Sequence, residues 1–155
     1  MSKKLTNKSR RNFVANSGAA AGLVAIAGLS GKRVHAQTME INAMGPTPEQ
    51  AQAFAQLPDQ PVIMVNLLKF TDVASYDQYG VDVVETLAQV GAEIIFSGEC
   101  QMTLIGGAEW DRVILVRYPN SRALLQMAQS PEYQAISSNR TNGLEGQMNL
   151  AVFES

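Results

Sequence analysis

Tyr133 and Arg140 stand seven residues apart, a spacing that puts both on one face of a helix. An arginine so placed either closes its helix against a neighbouring sheet through an ion pair or grips a carboxylate at the mouth of a pocket. Tyr76 and Tyr79 share a second helix face and bring hydroxyls to a rim. An unassisted phenol ionises near pH 10, so either would need a nearby cation to move a proton at neutral pH. Asn66 interrupts an apolar run. A buried amide without partners costs about 1–3 kcal/mol, so Asn66 bonds a neighbour such as Tyr79 or Tyr133, or orients a ligand. Trp110 opens a later strand, as a packing residue or as the apolar wall of a pocket. Asn66, Tyr79, Trp110, Tyr133 and Arg140 are therefore the candidate ligand-binding set. Arg112 and Arg117, on opposite faces of one strand, suit ion pairing at a strand edge.

Much chemistry is excluded. The single histidine, His35, lies in the first 36 residues, so the remainder has no Ser-His-Asp or Cys-His nucleophile and no His-ligated zinc or haem. The carboxylates are scattered, and no metal or resident cofactor is expected. Gly106-Gly107 reads as a hairpin turn with no following helix to receive a phosphate. The single cysteine, Cys100, cannot form an intramolecular disulfide and suits a small buried apolar position.

Charge is segregated. Seven of the twelve basic residues precede position 37 and all fourteen acidic residues follow it, so residues 37–155 carry five basic against fourteen acidic side chains, a formal charge of −9. That field repels nucleic acid. The first 36 residues read as an export signal. Ser9-Arg10-Arg11-Asn12-Phe13 resembles the twin-arginine motif, the Ala/Gly-rich run from Gly18 to Leu29 follows it, and Val34 and Ala36 suit a peptidase cutting before Gln37. The expectation is carriage by the twin-arginine translocase to the periplasm. The apolar run is shorter than the ~20 residues that span a bilayer, so no stable membrane anchor is expected.

The elements that position the candidate set follow from pattern. Residues 37–60 read as a tether and a short helix, with Thr47 and Gln50 forming a capping box around Pro48. Residues 61–155 form the main domain. Pro61–Phe70 is a strand apolar on both faces, which calls for burial of both. Tyr76, Tyr79, Val83, Leu87 and Val90 mark a helix ended by Gly91. Glu93–Ile105 and Trp110–Tyr118 read as a hairpin turning at 106–109. Two helical stretches follow, starting at Asn120 and at Ser130-Pro131. Asn142-Gly143 reads as a turn into a last strand, Gln147–Phe153. The order is the βαββαβ of an α+β, ferredoxin-like fold: an antiparallel sheet with helices on one face. A second copy is the simplest cover for the other face, predicting a homodimer.

The segments Val62–Phe70 (VIMVNLLKF), Tyr76–Gly80 (YDQYG), Glu109–Ser121 (EWDRVILVRYPNS) and Ser130–Arg140 (SPEYQAISSNR) resemble the family called domain of unknown function 1330. The resemblance implies a dimeric α+β barrel over residues 60–154. Many members carry His-Gly-Gly at the end of the first helix, where this chain has Val90-Gly91-Ala92, so no role of that histidine transfers. The wider barrel superfamily includes monooxygenases, isomerases, haem enzymes and non-catalytic binders. Three functions follow as expectations: a binder of a small organic ligand in a pocket between sheet and helices, a cofactor-independent enzyme of monooxygenase or isomerase type, and a non-catalytic dimeric scaffold.

Overall fold

The computed structural model describes residue 41 and residues 45–155. The export signal, with Arg10, Arg11, Ala36 and Gln37, lies outside the described residues. So does most of the tether.

The described chain runs α1 (Pro48–Ala55), β1 (Val62–Phe70), α2 (Val73–Gln89), β2 (Glu93–Glu99), β3 (Arg112–Tyr118), α3 (Ser121–Gln129), α4 (Pro131–Gly143) and β4 (Leu144–Val152). Each helix start has a local cause. Thr47 and Gln50 bond each other's backbone across the first turn of α1, at 3.2 and 2.9 Å. Asp72 caps α2 by accepting from the amides of Ala74 and Ser75. Asn120 caps α3, and Ser130 caps α4 with Pro131 in its first turn. Gly91 ends α2 with a positive φ of 70°, a conformation that glycine adopts without the Cβ penalty.

The strands form one antiparallel sheet in the order β2-β3-β1-β4. This is the split βαβ arrangement, so the fold is ferredoxin-like α+β. Register sorts every strand residue onto one of two faces. Val62, Met64, Asn66 and Leu68 of β1 align with Tyr118, Val116, Ile114 and Arg112 of β3 and face the helices. Asn149 and Gln147 of β4 stand beside Asn66 and Leu68 on that face. The core lies there, built on Val62 and Leu68, both 0% exposed, with Tyr76, Tyr79, Val83, Leu87 and Met127.

The opposite face is open and apolar. Its central row crosses all four strands as Phe96, Leu115, Val65 and Leu150. Phe96 and Leu150 are exposed, and Leu115 and Val65 half-buried. On this face of β1 Ile63 is buried and Val65 and Leu67 are half-buried, while the flanking Phe96 and Leu150 stand exposed.

Several boundaries differ from the sequence expectation: β3 starts at Arg112 instead of Trp110, and β4 spans Leu144–Val152 instead of Gln147–Phe153. The strand expected over Glu93–Ile105 stops at Glu99. Beyond it the Cys100 amide donates to the carbonyl of Asp111, the residue before β3, at 2.8 Å. Asp111 itself turns to β1: its amide donates to the Leu68 carbonyl, and its carboxylate accepts from the Phe70 amide at 2.7 Å. With no strand opposite, the β-branched stretch after Cys100 forms a loop, and Leu104 and Ile105 stand exposed on it. Asn142-Gly143, expected as a turn, is the last of α4, which runs directly into β4. The Gly143 carbonyl accepts from the amides of Thr71 and Asp72 at 3.0 and 3.1 Å, tying the end of α4 to the start of α2.

Candidate functional site

Between the sheet and its helices lies a cleft of about 720 Å³, within the range of small-molecule sites. Its floor is Met64, Asn66, Ile114, Val116 and Asn149. Its walls come from α2, α3 and α4, and Phe54 of α1 closes one side.

All four tyrosines of the chain, Tyr76, Tyr79, Tyr118 and Tyr133, line it. Their spacing on two helices brings the rings into contact. Tyr76 and Tyr79 lie 5.5 Å apart between centroids, and Tyr79 meets Tyr133 edge-to-face at 6.3 Å. Phe70 extends the stack, 4.9 Å from Tyr76.

Arg140 enters from the last turn of α4 and donates to the Oε1 of Gln147 on β4. It reaches the same cluster, where its charge opposes the effect of burial on the Tyr76 phenol. The other arginines after position 36 are neutralised. Arg112 pairs with Asp77 at 2.7 Å and lies over the Phe70 ring. Arg117 pairs with Glu93 and Glu154 on the open face, and Arg122 with Asp59. Arg140 alone among these four has no carboxylate within 4.0 Å among the described residues.

Four members of the candidate set, Asn66, Tyr79, Tyr133 and Arg140, therefore meet around one cleft. Trp110 does not. It sits half-buried on the loop before β3, outside the cleft lining, because the turn of Asp111 toward β1 carries it past the end of the sheet. Asn66 does not bond the tyrosines. Its amide donates to the carbonyls of Met64 and Ile114, both at 3.1 Å. With both donors used, Oδ1 is the atom left to accept from a ligand. Sequence reasoning missed Gln147 and Asn149. The signal was the β4 alternation, in which Gln147 and Asn149 fall on the helix-facing side while Leu150 and Val152 fall on the open one.

Burial holds the phenols of Tyr76, Tyr79 and Tyr118 above the usual tyrosine range, and the opposing pull of the Arg140 charge does not offset it. At neutral pH these three are hydrogen-bonding hydroxyls, not bases. A raised phenol pKa stabilises the folded state below the unfolded value of about 10, and that stability is lost as pH rises above it. Folding stability should therefore fall between about pH 10 and pH 12, with the tyrosinate absorbance rising as the domain unfolds. Tyr79→Phe should flatten that slope.

A four-stranded antiparallel sheet with helices on one face, enclosing a ligand-sized cleft, defines a ferredoxin-like α+β domain. The chain belongs to the family described as Domain of unknown function (DUF1330), which matches residues 61–154. Among solved structures it is similar to RPA0582, a protein of unknown function from Rhodopseudomonas palustris, at 23% identity and a TM-score of 0.68, over 72% of this chain and 95% of that one. A fainter likeness, at 14% identity and a TM-score of 0.48 over 61% and 94% of the two chains, is to an uncharacterized NIPSNAP domain protein from Burkholderia xenovorans. SnoaB, a cofactor-independent oxygenase from Streptomyces nogalater, stands at 9% and 0.44 over 62% and 93%, a likeness too faint to carry an activity. No curated protein matches the chain.

Proposed function

We propose that this protein is an exported, homodimeric binder of a small organic ligand, held in the cleft between the sheet and its helices. The observation that carries this is Arg140, the arginine without a carboxylate partner among the described residues, placed beside hydroxyl and amide groups in a cleft of ligand size. Arg140 supplies donors, the Asn66 Oδ1 an acceptor, and Met64, Val116 and Met127 apolar contact. Proton abstraction by a tyrosine is disfavoured, because burial keeps Tyr76 and Tyr79 protonated. That ranks binding above monooxygenase or isomerase chemistry. The apolar central row of the open face supports the dimer, since an exposed sheet face is covered most simply by its own copy. The basic and apolar character of residues 1–36 supports export by the twin-arginine translocase.

Native mass spectrometry of the protein purified from the periplasm tests all three elements. The expected spectrum is a dimer of chains starting at Gln37 and carrying the added mass of a small molecule. A bare dimer that takes up nothing from a panel of organic acids, alcohols and amides would overturn the binding function, and a monomer would overturn the dimer.

A further inference from the structure

The cleft is polarised along the strands. Arg140 and Gln147 lie at the level of Leu68, since Gln147 is the register partner of Leu68 on β4. Asn66 and Asn149 come next. Then Met64 aligns with Val116 and Ala151, all apolar. The helices keep the same order. Tyr76 lies against Phe70 at the polar end, and Val83 and Leu87 follow it along α2 toward the apolar end. From Leu68 to Met64 the floor runs about 13 Å at the ordinary rise of a strand. One end offers a guanidinium; the other offers no cation, its floor of Met64, Val116 and Ala151 being apolar and Tyr118, the register partner of Val62, adding a neutral hydroxyl beyond them.

Resting on the cleft being a binding site, we infer that its ligand is an amphiphilic monocarboxylate, with its carboxylate on Arg140 and its apolar body lying along β1 toward Met64. The arginine distribution sets the number of charges. Arg112, Arg117 and Arg122 are each matched by acids, and none of them lines the cleft. A second carboxylate at the apolar end would be buried without a counter-charge, which is strongly unfavourable. Arg140 has donors to spare: a guanidinium carries five N–H groups, and the bond to the Gln147 Oε1 uses one. A carboxylate can therefore be bound without breaking the link between α4 and β4.

The test uses decanoate and decan-1-ol, which share an alkyl chain and differ in charge, with calorimetric titration of the mature dimer and of two variants. Decanoate should bind the wild type. Arg140→Gln should weaken decanoate about 30-fold, the size expected for loss of a charged hydrogen-bonding partner, and leave decanol unchanged. Retained decanol binding shows that the variant is folded. Arg122→Gln, outside the cleft, should change neither. If decanoate and decanol both bind and Arg140→Gln leaves decanoate as tight as before, the carboxylate assignment falls while the binding cleft stands. Decanol binding without decanoate has the same meaning. If neither ligand binds the wild type, the assignment falls, and the added mass in the native spectrum then decides the binding function separately.

Discussion

Gly143→Ala should cost the domain about 3 kcal/mol of stability, within the range for forced overpacking. A Cβ at Gly143 would lie 2.8 Å from both the backbone nitrogen and the Cβ of Tyr76, and 3.0 Å from the Asp72 carbonyl oxygen. Two of those three atoms are backbone, so relief requires α4 to move away from α2. That movement breaks the hydrogen bonds that the Thr71 and Asp72 amides donate to the Gly143 carbonyl and displaces Arg140, one helical turn earlier, from the tyrosine cluster. Urea denaturation should show a lower midpoint with little change in slope. The contrasting variant is Gly80→Ala. Gly80 lies inside α2, and a Cβ there would meet nothing within 4 Å, so this change should raise stability by about 0.5–1 kcal/mol through helix propensity. A neutral Gly143→Ala would mean that α2 and α4 do not approach so closely in solution.

The second large effect concerns the open face. Leu115→Lys places an ammonium at the centre of the row Phe96, Leu115, Val65 and Leu150. In a face-to-face dimer that charge is buried twice, once from each copy, without a partner. A burial cost of about 4 kcal/mol weakens association about a thousandfold, so the variant should sediment as a monomer at concentrations where the wild type is a dimer. Val81→Lys is the control: Val81 is 72% exposed on α2, away from the sheet, and its replacement should leave the mass unchanged. A Leu115→Lys protein that remains dimeric would place the interface elsewhere.

Much of this architecture was legible locally. The capping box at Thr47, the proline-led start of α4 and the glycine stop after α2 are each decided within four or five residues, because the groups that satisfy a helix end come from its own neighbours. The seven-residue spacing of Tyr133 and Arg140 placed both on one side of α4 for the same reason. Strand ends were less legible. A β-branched segment becomes a strand only when another strand lies opposite, and past Cys100 none does. Asn142-Gly143 misled because an Asn-Gly pair favours tight turns, whereas here the glycine serves the close approach of Tyr76.

The cleft shows the same division. Composition alone determined that residues 37–155 hold no histidine and only five basic side chains, since the only histidine and seven of the twelve basic residues lie in the first 36 positions. Periodicity determined the order of strands and helices. Which groups meet was decided by register and packing. The pairing of Leu68 with Gln147 puts an amide beside Arg140, the bend at Asp111 takes Trp110 away, and the carbonyls of Met64 and Ile114 claim the donors of Asn66. The physical reason is range. Helix caps and face periodicity act over a few residues of chain, while a site assembled from β1, α2, α4 and β4 depends on contacts between segments up to about eighty residues apart, whose geometry no local pattern encodes.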